Sequence, residues 1–294
     1  MRELQAECLW PVGAELGEGP LWVPEQERIY FVDIKSSRLH ALCTGSGQRF
    51  SWSLPDFVCW VVPRRDGDGF MAGLRREVVR LWLEPELRIE PLALPLELGE
   101  HVRLNDAKAD AHGNLWFGSM NNADVHRPDG RLFHLRRDHT LSVQDQSIHI
   151  CNGPTFSLDG GTMYHTDSLL AQVSAYPIGP DGATGAAQPW RRFDDAVEGS
   201  PDGMTTDSEG AIWIAQWGGG RVCRYAPDGT LDTIVRVPVS QPSSCAFGGP
   251  DLKTLYITSA RQDLGQDQLA AEPLAGALFA VPVDVAGLPA ARFG

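Results

Sequence analysis

The stretch DAHGNLWFGS, residues 110–119, sets a turn signal before an aromatic residue inside a short apolar run. The same order recurs in PEQERIYFVD (24–33), RRDGDGFMAG (64–73), SLDGGTMYHTD (157–167), DSEGAIWIAQ (207–216) and GPDLKTLYITS (249–259). The anchoring aromatics are Tyr30, Phe70, Trp116, Tyr164, Trp213 and Tyr256, at intervals of 40, 46, 48, 49 and 43 residues. Runs this short, rich in aromatic and β-branched residues and led by turns, read as buried strands. A second run follows each anchor: SRLHAL, REVVRL, GRLFHL, QVSAYPI, GRVCRY and GALFAV. Four of them return as hairpins do; those after Trp116 and Tyr256 are delayed, which predicts insertions there. Almost no segment has the 3.6-residue period of a long amphipathic helix. Six units of roughly 45 residues predict an all-β, six-bladed β-propeller. A large β-sandwich or two smaller barrels would not explain a spacing that persists along the whole chain. The signature dipeptides of WD40 repeats are missing.

With 294 residues, 43% of them hydrophobic, the chain can bury a large core. No linker, charge block or low-complexity tract divides it, so residues 1–294 are expected to form one domain. The formal charge of −13 argues against nucleic acid and polyanionic substrates, and suits a neutral ligand or a bound cation. No signal-peptide core and no run of 18 apolar residues is present, so neither export nor a membrane partner is expected. The cysteines, Cys8, Cys43, Cys59, Cys151, Cys223 and Cys245, form no C-x-x-C pair or zinc spacing. They read as small core residues of a reduced, cytoplasmic protein.

Counting back 11 or 12 residues from each anchor reaches the start of each blade's innermost strand. The positions are Glu18, Val58 or Cys59, Asn105, Asn152, Asp202, and Ser244 or Cys245. Singly, each polar residue reads as an ordinary turn residue. At matched phase, Glu18, Asn105, Asn152 and Asp202 are expected to converge on the propeller axis. Two carboxylates and two amides in a narrow channel need partners, and a hard divalent cation such as Ca²⁺, Mg²⁺ or Mn²⁺ supplies one. Glycines beside them let the backbone approach the axis. No histidine shares this phase, and no G-x-S-x-G, Walker or dinucleotide-binding motif occurs in a strand–helix context. Arg103, two residues before Asn105, reads either as a surface ion-pairing residue or as a fork of donors for a ligand oxygen.

The segments LGEGPLW, VDIKSSRLHAL, RLNDAKADAHGNLWFGSM, CNGPTFSLDGGTMYHTDS, SPDGMTTDSEGAIWIA and GGPDLKTLYITSAR carry a specific resemblance, nearly end to end. Together they resemble the SMP-30/gluconolactonase/regucalcin family of six-bladed propeller lactonases, within it the bacterial sugar-lactonase branch of xylonolactonase-like and arabinonolactonase-like enzymes. The resemblance implies metal ligands at Glu18, Asn152 and Asp202, substrate contacts at Arg103 and Asn105, and an acid/base role for Asp202. It also implies one divalent cation, which an oxygen site leaves open among Ca²⁺, Zn²⁺, Mg²⁺, Mn²⁺ and Fe²⁺. Many members carry an acidic residue after the G-S/T-M of the third blade, against the sugar hydroxyls. Here that stretch is GSMNNADVHRPDG, with Asn121 and Asn122 at the substrate positions and Asp124 the nearest acid. The sugar preference therefore stays open.

The expected reaction is metal-dependent hydrolysis of a glucono-, xylono-, arabinono- or galactonolactone to the aldonic acid. Asp202 would move the proton, Arg103 and Asn105 would orient hydroxyls, and residues 119–130 would roof the site. The alternatives are a non-enzymatic calcium-binding, regulatory propeller, and an aryl-ester or phosphotriester hydrolase using the same residues.

Overall fold

The computed structural model describes residues 1–179 and 182–294. Its strands form six antiparallel sheets in a closed ring, each innermost strand neighbouring the next and the sixth neighbouring the first. From the axis outward, blade 1 runs Gly17–Val23, Arg28–Asp33, Arg38–Cys43, Arg49–Ser53, and blade 2 runs Val58–Pro63, Phe70–Leu74, Val78–Trp82, Arg88–Pro91. Blade 3 is Val102–Ala109, Leu115–Asn121, Gly130–Leu135, Leu141–Ile148, and blade 4 is Cys151–Phe156, Thr162–Asp167, Gln172–Pro177, Gln188–Arg192. Blade 5 is Ser200–Thr206, Ile212–Trp217, Arg221–Tyr225, Leu231–Arg236, and blade 6 starts Pro242–Gly248, Thr254–Ser259, Leu278–Pro282. The delayed returns are real: residues 122–129 loop out of blade 3, and blade 6 inserts a short helix, Gln266–Ala271.

Aromatics, five of the six repeating anchors among them, fill the seams between blades. Tyr30 meets Phe70 between blades 1 and 2, Trp60 meets Phe117 between 2 and 3, and Trp116 faces Phe156 between 3 and 4. Trp190 meets Tyr225 between blades 4 and 5, Trp213 meets Phe247 between 5 and 6, and Trp22 stacks on Tyr256 between 6 and 1. Consecutive Trp116 and Phe117 serve opposite seams because strand side chains alternate. The turn ahead of the anchor is locked to it. Asp110 accepts the Trp116 indole N–H at 2.9 Å through Oδ2, and the backbone N–H groups of His112 and Asn114 through Oδ1. Asp207 does the same for Trp213, Glu209 and Ala211. The leading acid in DAHGNLW and DSEGAIW is thus a turn former and an indole acceptor at once.

The ring is closed by the N-terminal residues. Arg2–Gln5 adds a parallel fifth strand to the rim of blade 5, and Glu7–Trp10 completes blade 6 beside Leu278–Pro282. All six cysteines are free thiols, and no helix among the described residues is long and apolar enough to cross a membrane.

Three buried imidazoles, those of His40, His134 and His165, lie outside the inner strands. His40 packs against Trp10 and Phe31 with Nδ1 2.8 Å from Ser51 Oγ, and His165 Nε2 has no hydrogen-bond partner among the described residues. Burial pushes both down to about 4 from 6.5. The unfolded chain therefore takes up these protons first as pH falls from 6.5. Their contribution to stability is lost between pH 6.5 and about 4, by up to about 1.4 kcal/mol per pH unit for each ring. Imidazole resonances with midpoints near pH 4 are expected in an NMR titration; midpoints near 6.5 would show that water reaches the rings.

Candidate active site

All six inner strands hold one extra residue against their partner strand near the start. In blade 1, Glu18 to Leu21 spans what Val32 to Tyr30 spans opposite; in blade 3, Leu104 to Ala107 spans Ser119 to Phe117. Blades 4 and 5 repeat this at Asn152 to Thr155 and Pro201 to Met204. In blades 2 and 6 the shift is shorter, between Val58 and Trp60 and between Pro242 and Ser244. Such bulges turn the strand and re-aim its side chains. The four blades with the longer bulge are those that bring Glu18, Asn105, Asn152 and Asp202 to the channel. Glycine follows three of the four. A Cβ at Gly153 would lie 2.7 Å from Met204 Cε, and one at Gly203 would lie 2.1 Å from Ser244 Oγ. In blade 3 the glycine position is taken by Asp106, a member of the cluster that a strict alternation of strand faces would point away.

Arg103, Asn105 and Asn152 form one hydrogen-bonded network, with the Glu18 and Asp202 carboxylates in electrostatic contact beside it, every member nearly sealed from solvent. Arg103 is 4% exposed, Asn152 4%, Asp202 5%, Asn105 7% and Glu18 8%. Arg103 Nη1 donates to Asn105 Oδ1 at 2.5 Å and to the Leu104 carbonyl at 2.9 Å. Asn105 Nδ2 donates to Asn152 Oδ1 at 2.7 Å and to the Cys151 carbonyl at 2.8 Å. Asn152 Nδ2 donates in turn to Ser168 Oγ at 2.9 Å. Glu18 Oε2 accepts the Gly19 N–H at 3.0 Å. Asp202 Oδ1 is buried with no hydrogen-bond partner among the described residues.

The charges explain why the orphan matters. Burial, then the Asp202 and Asp106 carboxylates, push Glu18 well above the usual carboxylate range. Burial, then Asp106, does the same to Asp202. Asp106 is pushed by burial up to about 6, opposed by Lys108. Burial lowers Arg103, with Glu18 and Asp202 among the charges opposing it, but no carboxylate lies within 4.0 Å of its guanidinium among the described residues. Lys108 Nζ donates to the Met204 carbonyl at 2.7 Å, tying blade 3 to blade 5 below the cluster. Desolvated acids held together without a close counter-charge are strongly unfavourable.

The donors fit a hard cation. The oxygens on offer are two carboxylates and one amide, from Glu18, Asp202 and Asn152, with the Asp202 oxygen unpartnered. No group of three or more His, Cys, Asp or Glu side chains suited to a metal occurs among the described residues. The donor set is all oxygen, free of nitrogen and sulfur, which favours Ca²⁺, Mg²⁺ or Mn²⁺ over soft-ligand sites.

The two asparagines of GSMNN part company. Asn122 Oδ1 accepts from Arg103 Nε at 3.1 Å and from Lys35 Nζ at 2.8 Å, beside the network. Asn121 instead holds the 122–129 loop: its Nδ2 donates to Asp129 Oδ2 at 2.7 Å and its Oδ1 accepts the N–H groups of Ala123 and Asp124. The loop touches the network through Asn122. Sequence reading missed Asp106, Lys35, Lys108 and Ser168; only Asp106 left a signal, as the acid where three other blades have glycine.

A family model described as SMP-30/Gluconolactonase/LRE-like region matches residues 16–261. The chain is 36% identical to a 6-deoxy-6-sulfogluconolactonase of Pseudomonas putida, over 96% of each chain. It is 34% identical to an L-arabinolactonase of Azospirillum brasilense, over 98% of this chain and 95% of that one. The crystal structure of a calcium-binding regucalcin from Agrobacterium tumefaciens superposes with a TM-score of 0.91 at 27% identity, covering 100% and 99% of the two chains.

Proposed function

The chain belongs to the SMP-30/gluconolactonase/LRE-like family, and on that footing we propose that it is a lactonase opening a sugar aldonolactone to the aldonic acid. The observation that carries the reading is the buried, unpartnered Asp202 carboxylate oxygen beside Arg103, Asn105 and Asn152. A proton acceptor and a fork of donors at one end of a channel suit attack of water on an ester carbonyl.

Each residue has a defined task. Asp202 accepts the proton of the attacking water and returns it to the ring oxygen as the C–O bond breaks. Arg103 and Asn105 hold the sugar hydroxyls, and their mutual hydrogen bond fixes both side chains before substrate arrives. Ser168 orients Asn152 through its amide nitrogen. Glu18, Asn152 and Asp202 are the residues that would hold a divalent cation. Bound there, it would supply Lewis-acid polarisation of the carbonyl and stabilise the developing negative charge.

A pH-stat assay on a panel of aldonolactones tests this. Acid release is expected, lost with a chelator and restored by Ca²⁺, Mg²⁺ or Mn²⁺. No acid from any lactone would leave the calcium-binding, non-enzymatic reading, and full activity with chelator would remove the metal from the reaction. Arg103→Ala should raise KM by about 10- to 100-fold, the worth of a charged hydrogen bond. Metal affinity in calorimetry should stay near wild type, since the guanidinium offers no oxygen. Loss of metal binding in that variant would place Arg103 in the metal's support instead.

A further inference from the structure

The Asn122 amide oxygen is shared by two cations. Lys35 Nζ and Arg103 Nε both donate to it, so the two nitrogens lie within about 6 Å of one another. Like charges this close and partly desolvated repel. Lys35 Nζ also sits 5.4 Å from the Phe57 ring centroid, and Arg75 covers the same ring at 4.0 Å. Glu18 and Asp202 act on Arg103 from the metal side of the cluster, but neither reaches within 4.0 Å of its guanidinium among the described residues, and on the Lys35 side no acid is paired with the ammonium. Asp56 is bound to Arg75 at 2.9 Å, and Asp263 is exposed, with no ion pair to Lys35 within 4.0 Å among the described residues. Burial lowers Lys35, with Arg103 the next cause. Two cations thus share one neutral amide at the edge of the candidate site, on the side away from its carboxylates.

Resting on the lactonase reading, we propose that Lys35 and Arg103 form an anion subsite that selects sugar lactones bearing a carboxylate or sulfonate on the carbon remote from the lactone carbonyl. The anion would accept from both cations and relieve their repulsion. Asn122 is the specificity element: an amide spaces the cations without neutralising them, whereas a carboxylate there would occupy the subsite from within. Lys35 is a specificity residue, not a catalytic one.

The test compares kcat/KM for glucono-1,5-lactone, glucarolactone and 6-deoxy-6-sulfogluconolactone. Wild type is expected to prefer at least one charged lactone over the neutral one by about 10- to 100-fold. The two charged arms tell a carboxylate from a sulfonate subsite. Lys35→Met should lower the charged-to-neutral ratio by about 10-fold, and Asn122→Glu should lower it as well. A wild-type ratio near one, or a ratio unmoved by Lys35→Met, overturns the proposal. Calorimetry with methyl glucuronide and methyl glucoside decides the same question without turnover. Tighter binding of the glucuronide that is lost in Lys35→Met supports the subsite even if no lactone is hydrolysed, and equal binding of both sugars rejects it.

Discussion

Asp202→Asn should stay about 10²–10⁴-fold slower than wild type even when saturated with metal, the usual worth of a positioned general base. The substitution is nearly isosteric, and the amide still offers an oxygen, but it cannot accept a proton at neutral pH. Two roles assigned to one side chain are thereby separated. As a ligand alone, Asp202 would lose activity in proportion to lost metal, and excess metal would restore it. As a proton acceptor too, it leaves a deficit in kcat that no metal concentration repairs. Removing one negative charge should also weaken metal binding, so the measurement is a full metal titration of turnover. The network gives the substitution a second readout. The introduced amide can place an N–H where an unpartnered Asp202 oxygen now lies, and it removes a charge that helps to raise Glu18. Near wild-type turnover at saturating metal would leave Asp202 as a ligand only, and the base would have to be sought elsewhere in the channel.

The blade count was legible because each repeat sets a large aromatic in the second strand of its blade, behind a turn. Tyr30, Phe70, Trp116, Trp213 and Tyr256 meet an aromatic from a neighbouring blade and Tyr164 meets Trp190 of its own blade, so the spacing of these aromatics is the spacing of blades. Ring closure left no comparable trace. The strands Arg2–Gln5 and Glu7–Trp10 are mostly exposed, and their partners, Thr233–Arg236 and Leu278–Ala280, lie at the far end of the chain. Site residues that share a phase could be counted out from the anchors. Asp106 could not, because a two-residue strand period sends neighbours to opposite faces, and only the bulge between Leu104 and Ala107 brings Asn105 and Asp106 to one cluster. Lys35 could not, because a lysine in a turn reads as a solvated residue until its partner Asn122, two blades away, is known. Charge summed over the whole chain hid it too: a net of −13 says nothing of a pair of cations held at one rim.

Trp10→Ala should destabilise the protein by about 3–5 kcal/mol, the range for emptying a buried tryptophan site, and lower Tm by roughly 10 °C. Trp10 is the residue at which the ring closes. Its backbone pairs with Leu278 in blade 6, while its ring packs edge-on against Phe31 at 5.6 Å and His40 at 5.4 Å in blade 1. The register shift between Cys8 and Trp10 turns the indole toward that seam. Arg49 of blade 1 covers the same ring at 5.4 Å and donates to the Leu9 carbonyl at 3.3 Å, so the clasp is held from both sides. Truncation removes the ring contacts to Phe31, His40 and Arg49 and leaves Phe31 and His40 facing a cavity. In a ring, one loosened seam weakens both neighbouring blades, so the transition should broaden as well as shift. Turnover at 25 °C should change little, because Trp10 lies at the outer edge of blade 6 and the candidate site at the inner strands. A Tm within about 2–3 °C of wild type would mean that closure rests instead on the inner contacts of the same seam, where Leu16 bridges Ala260 and Trp22 stacks on Tyr256.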